Sequence, residues 1–296
     1  MLAGLTVLLP LSSYAQSGAE VDLKGGAAEK EEDKTDFIRV DEDEKNVRLQ
    51  TSVTRYEKDG VKVDLIGAVH IADKQYYMDL NELFEESDVL LFEMVGGDRL
   101  VKGEKLKEGE LKEAQFSFLG AVYNTMQKKL ALTGQKDHID YSKENFVHAD
   151  LSMEEFLNLQ KEKKESLLSF ALKNARSVER AQKESGKEIK QPNMFKMLKA
   201  IMTGNADLLK LNIVHTLGGG DDQISAFAGD SVIIGDRNIK CLDVMTSQIQ
   251  EGHKNIGIFY GAAHFPDMED RMLEMGFKKT KQFWMTAWDI NKEKAK

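Results

Sequence analysis

Val63-Asp64-Leu65-Ile66-Gly67-Ala68-Val69-His70-Ile71-Ala72-Asp73 and Gly257-Ile258-Phe259-Tyr260-Gly261-Ala262-Ala263-His264-Phe265-Pro266-Asp267 share one plan. Each reads as an apolar strand, then G-A-x-H, two residues and Asp, followed by a helix and another strand. A Gly where a strand breaks permits unusual backbone angles or close approach. A His at the carboxyl edge of a strand faces the crevice where α/β sheets bind ligands. The Asp three residues later is expected to cap the next helix. A single G-x-x-H arises easily by chance. Its repetition in matched strand–helix contexts points to two imidazoles across one pocket.

The flanks extend the pattern. Val47 to Arg55 and Val61 to Ile66 read as a hairpin with Asp59-Gly60 at its turn. A helix is expected from Lys74 to Glu86, with Tyr77, Leu80, Leu83 and Phe84 on one face, then a buried strand Val89 to Phe92 ending at Glu93. On the second side, a helix carries Asp236-Arg237-Asn238 to about Gln250. Another runs from Asp267 to Met275, and Thr280 to Trp288 forms a last strand.

Between the two units, about 105–215, the chain reads as a charged helical insertion. Ser152-Met153-Glu154-Glu155 is a capping box. Phe156, Leu159, Leu167, Leu168, Phe170 and Ala171 continue an apolar stripe. Pro192 restarts a helix whose Phe195, Leu198, Ile201 and Met202 are expected to face inward. The expected fold is a three-layer α/β protein, with a mixed sheet, two related βαβ units and this helical insertion. Gly218-Gly219-Gly220-Asp221-Asp222 lacks the Lys-Ser/Thr of a phosphate loop, so no nucleotide role is assigned to it.

With 296 residues, 41% of them hydrophobic, the chain can bury a sizeable core. Its net charge of −9 is concentrated: residues 19–46 carry 11 acids and 5 bases. No basic face suits nucleic acid. The single cysteine, Cys241, excludes an intrachain disulfide. Residues 1–15 read as the apolar core and A-x-A-like end (Ser13-Tyr14-Ala15) of a signal peptide without a basic start, so export to the periplasm or medium is expected. Residues 16–46 read as an acidic linker and 47–296 as the folded domain. No stretch approaches a membrane span.

His70, His264 and Glu93 are a plausible two-His/carboxylate set for a divalent ion, with Mn, Co or Zn all suited to mixed N/O donors. His148 and Asp150, after the short apolar run at 146–147, are candidates to line the same site. His138, His215 and His253 have no comparable context.

The paired G-x-x-H motifs, the acid after the first unit and the D-R-N segment before the second resemble the TraB/PrgY/GumN family. That family includes the TIKI proteins and is distantly similar to the erythromycin esterase and ChaN group. The resemblance covers roughly residues 47–288, most clearly 61–95 and 230–277. It implies a metal-dependent hydrolase, and by likeness to TIKI a peptidase acting on peptide substrates. His70 and His264 match the motif histidines, Glu93 the acid, and Arg237 and Asn238 the family's E-R-N segment. Asp236 stands where Glu is usual, which puts a direct catalytic part for that carboxylate in question. Arg237 is the candidate to bind a substrate carboxylate or oxyanion. Glu93 is open to either role, metal ligand or general base. The alternative is a non-catalytic peptide-, haem- or iron-binding protein using the same histidines.

Overall fold

The structure, a computed structural model, describes residues 35–97, 123–166, 169–170, 193–217 and 231–296. The segments read as a leader and as most of an acidic linker, part of the expected helical stripe and the stretch 218–222 lie outside these residues.

The fold is α/β with a mixed seven-stranded sheet. β2 (Asn46–Lys58) pairs antiparallel along one edge with β9 (Lys278–Asn291). Its other edge is shared end to end by β1 (Ile38–Glu42) and β3 (Val61–Ala68). Asp59 and Gly60 turn β2 into β3 with φ of 49° and 77°. Both are left-handed, as a two-residue hairpin turn that matches strand twist requires. From β3 the sheet becomes parallel: β3 pairs with β8 (Asn255–Gly261), β8 with β5 (Val89–Phe92), and β5 with β7 (Phe146–His148). A short ladder of β4 (Ile71–Ala72) and β6 (Thr133–Gly134) lies apart.

The parallel strands are apolar on both faces, and alternate residues enter two different cores. Val63, Leu65, Val89, Leu91, Ile256, Ile258 and Tyr260 face one side, with α5 (Gly235–Gln250) and α6 (Phe265–Glu274). Ile66, Leu90, Phe92 and Phe259 face the other, with α1 (Lys74–Phe84) and α4 (Ala206–Leu217). Phe84 of α1 meets Phe259 edge-on, with ring centroids 4.7 Å apart. Fully burying a side chain of this size stabilises by roughly 1.5–3 kcal/mol.

This topology creates a crevice. From β3 the chain leaves over one face through α1 and returns as β5, beyond β8. From the neighbouring β8 it leaves over the opposite face through α6 and returns as β9, beyond β3 and β2. Adjacent parallel strands whose connections diverge on opposite faces leave a gap at their carboxyl ends, the usual ligand position in open α/β sheets.

Four expectations need correction. Order begins before Val47: Phe37 is fully buried and β1 pairs with β2, because the isolated apolar residues of this acidic segment supply one strand's worth of core contacts. The capping box at Ser152 does open α2 (Met153–Lys163), but Lys164 then turns left-handed (φ 52°), so the apolar stripe is not one continuous helix. α3 (Met194–Thr203) is capped by Asn193 but turned the other way round from its expected orientation. Phe195 is 88% and Met202 79% exposed, Leu198 and Ile201 are exposed too, and Met197 and Ala200 make the inward contacts. A helical period fixes which residues share a face, not which face the core receives. Lastly, neither motif Asp caps its helix through its side chain. Asp73 accepts the Asp289 N–H of β9 at 2.7 Å, while Asp267 lies inside the first turn of α6.

Candidate functional site

The carboxyl ends of the four parallel strands carry the chemistry. His70 follows β3, Glu93 follows β5, Asp150 follows β7 and His264 follows β8. α5 delivers Arg237 and Asn238 from one face.

Neither motif glycine has a positive φ, so unusual backbone angles are not the reason for it. Close approach is. A Cβ on Gly261 would meet Glu93 Oε2 at 3.3 Å, and one on Gly67 would meet the Ser52 carbonyl and Thr51 Cβ of β2 at 3.1 Å. The Gly261 N–H donates to Glu93 Oε2 at 2.7 Å, tying the second motif to the acid that ends β5.

Arg237 is the centre of the cluster. Its Nη2 donates to Glu93 Oε1 at 2.7 Å and to Asp150 Oδ2 at 2.6 Å, and its Nε donates to Asp150 Oδ1 at 2.9 Å. Its Nη1 donates to the Ile233 carbonyl at 3.3 Å and lies 3.4 Å from His264 Nε2. All five guanidinium N–H groups are thereby engaged within the protein. Arg237 acts here as a positioning charge, and it meets a substrate oxyanion only by giving up one of these bonds. The fork geometry explains why Arg and not Lys serves: one planar group grips two carboxylates.

The electrostatics follow. Burial opposes ionisation of Glu93, but the Arg237 charge, with His264, His70 and the Gly261 N–H, holds its carboxyl well below the ordinary range. Burial opposes charge on Arg237 too, yet Glu93 and Asp150 raise its pKa further. His264 is 4% exposed, and burial pushes its pKa down to about 4, so the imidazole is neutral at neutral pH. One guanidinium against two carboxylates leaves the cluster with one net negative charge.

The two histidines are held differently. The Asn238 amide nitrogen donates to the His264 carbonyl at 2.9 Å and to Asp267 Oδ2 at 2.8 Å, and its oxygen faces His264 Nδ1 at 2.6 Å. Arg271 in turn grips Asp267. His70 is exposed at the rim. Its Nδ1 is 3.2 Å from Gln135 Oε1, and Gln135 donates to the Tyr141 hydroxyl at 2.7 Å. Three tyrosines fix the backbone of its turn: Tyr76, Tyr77 and Tyr123 donate to the carbonyls of Gly67, Val69 and His70.

Glu93, Asp150, Arg237, Asn238 and His264 therefore come together. His70 stands close enough to contribute to the field at both Glu93 and His264. Two expected residues stand aside. Asp236 pairs with Lys163 of α2 at 2.8 Å and makes no bond to this cluster. His148 Nε2 donates to the Met94 carbonyl at 2.7 Å, and His148 lines an adjoining cleft of about 500 Å³ with Ser152, Glu154 and Lys240. Gln135 and Tyr141 were not anticipated. They lie 65 and 71 residues beyond His70 in a segment without periodicity, and no sequence signal marks them.

A divalent ion is the cofactor the motifs imply. His264 Nε2 and Glu93 Oε1 are 3.6 Å apart. Two ligands each about 2.1 Å from one tetrahedral ion span roughly 3.4 Å. A neutral imidazole and a cluster with net negative charge suit a cation. Arg237 shares the same Glu93 oxygen, however, and among the described residues no three His, Cys, Asp or Glu side chains are gathered as a metal site. Two donor atoms thus stand at ligand spacing, and both already face the Arg237 guanidinium.

Comparison with protein-family models, with curated proteins and with solved structures finds no match for this chain. Among the described residues no helix is long and apolar enough to cross a membrane.

Proposed function

We propose that the chain is a metal-dependent hydrolase, with its site at the carboxyl ends of β3, β8 and β5, and that the two G-A-x-H segments are related βαβ units built around it. The observation that carries this reading is the buried, neutral His264 imidazole placed 3.6 Å from an ionised Glu93 in the switch-point crevice. Buried ionisable groups with strongly shifted pKa values cluster at functional sites.

His264, Glu93 and His70 are the residues that would hold a divalent ion. When bound, such an ion supplies Lewis-acid polarisation of a carbonyl oxygen. The protein's own groups do the rest. His264 Nε2 offers a lone pair as ligand or proton acceptor. Arg237 keeps Glu93 ionised, and Asp150 fixes Arg237. The peptide substrate class and export rest on the resemblance to TraB/PrgY/GumN proteins and on the apolar start of the chain.

The test uses the full chain purified without added metal, beside a His70→Ala/His264→Ala double variant with intact circular dichroism. Both are reconstituted with Mn, Co or Zn and assayed for bound metal and for cleavage of a mixed peptide library. Near one ion per chain and metal-dependent cleavage in the wild type, both lost in the variant, are expected. Stoichiometric metal or haem binding without turnover supports the binding-protein alternative. No ion bound under any condition overturns the metal-dependent reading.

A further inference from the structure

We propose that Asn238 is a positioning residue that locks His264 in its Nδ1–H tautomer, so that the Nε2 lone pair faces the Arg237 Nη1–H at 3.4 Å, with Glu93 Oε1 3.6 Å away. The argument is one of donors and acceptors. The Asn238 amide nitrogen lies within 2.9 Å of two oxygens, the His264 carbonyl and Asp267 Oδ2. A carbonyl and a carboxylate only accept, so the NH₂ end of the amide must face them. Both amide hydrogens are then spent. The remaining atom, Oδ1, is an acceptor 2.6 Å from His264 Nδ1. That nitrogen must carry the proton, and in a neutral ring Nε2 must not. Arg271 Nε and Nη2 hold Asp267 at 2.8 and 3.1 Å, which fixes the carboxylate that fixes the amide. The chain Arg271–Asp267–Asn238–His264 thus runs from the surface of α6 to the site.

This gives the motif Asp a purpose. Its place three residues after His264 sets it on the first turn of α6, level with Asn238 on α5. The first unit has no counterpart. Asp73 is spent on the β9 backbone, and Gln135 meets Tyr141, whose hydroxyl both donates and accepts and so leaves that amide free to sit either way round. His70 is therefore an internal control: its tautomer is not imposed by its partners.

The tautomer stands by itself, while its catalytic meaning rests on the hydrolytic reading above. The full chain is labelled with ¹⁵N-histidine, and two-bond ¹H–¹⁵N correlations are recorded at pH 7.5. His264→Gln assigns the signal. The wild type is expected to show a protonated Nδ1 and a bare Nε2 at His264. Asn238→Leu is expected to lose that single form. The exchange Asn238→Asp/Asp267→Asn, which returns an acceptor to His264 and a donor to its neighbour, is expected to restore it. A protonated Nε2 in the wild type, or an unchanged His264 in Asn238→Leu, overturns the proposal. Should Asn238→Leu fail to fold, the wild-type spectrum and the exchanged pair decide it. With a cleavable peptide in hand, Asn238→Leu should lower kcat by about 10–100-fold with little change in KM. A locked His264 in a protein that cleaves nothing leaves the positioning intact and removes the hydrolase.

Discussion

Replacing Arg237 with Met tests whether the site is organised around one buried cation. Methionine keeps much of the length and the apolar stem but leaves Glu93 and Asp150 facing one another without a counter-charge. The side chains of Arg237, Glu93 and Asp150 are 10%, 11% and 0% exposed, so water screens the loss poorly. Breaking a buried pair by removing one partner costs about 3–5 kcal/mol, a large part of a typical domain stability of roughly 5–15 kcal/mol. Urea unfolding at pH 7 should show that loss. The pH dependence gives a sharper check. In the wild type Arg237 holds the Glu93 pKa below its unfolded value. A depressed carboxylate stabilises above its unfolded pKa, and that stability is lost as pH falls through the folded one. In Arg237→Met burial loses its largest opponent, with the Gly261 N–H still bonded to Glu93, so the Glu93 pKa moves upward and the variant takes up a proton more readily than the wild type. The stability gap should therefore narrow as pH falls from 7 to 4.5. Adding Glu93→Gln should recover part of the loss, since an amide can stay buried without a charge. A loss under about 1 kcal/mol, or a gap that does not change with pH, would refute the reasoning.

Other perturbations have defined outcomes. His264 has its folded pKa lowered to about 4 from 6.5, so the unfolded chain binds the proton first and acidification destabilises. In metal-free protein this term should be absent above about pH 6.5 and reach about 2 kcal/mol by pH 5. Urea midpoints at the two pH values check it, with His264→Gln expected to lose that slope. Gly257→Ala places a Cβ 2.5 Å from Leu90 Cδ1 and 2.9 Å from Ser87 Oγ, so central-strand overpacking of about 1–3 kcal/mol is expected in thermal denaturation. Ser152→Ala removes the acceptor for the Glu155 N–H at the start of α2 and should cost about 1 kcal/mol in urea unfolding.

Much of the fold was legible because strand alternation and turn chemistry are local. Asp59-Gly60, the apolar run at 89–92 and the stretch 256–260 state their roles within a few residues. The orientation of α3 was not legible, since the choice between its two faces is made by what the rest of the chain offers as a surface. Nor was the strand at 38–42, where charged residues alternate with Ile38 and Val40 on a sheet edge that tolerates them. At the site, His70, His264 and Glu93 could be named because motif and strand end coincide. Gln135 could not, because its pairing with His70 is a fact of three-dimensional proximity alone.

The repeated motif is also less symmetrical than its letters. In both copies Gly allows a neighbouring strand or side chain to come close, and His follows the strand. Beyond that the copies diverge. The second faces α5, and its His is buried, neutral and oriented by Asn238. The first faces the tyrosines and Gln135, and its His is exposed. A buried imidazole with a fixed lone pair suits a permanent position in the site, while an exposed one at the rim can turn toward what arrives. The same four residues G-A-x-H thus supply two different chemical instruments, and the difference lies in partners contributed by distant parts of the chain. Asn238 has only one way to satisfy its partners and Gln135 has two, so a substitution at Asn238 should alter the ring of His264 and leave that of His70 as it was.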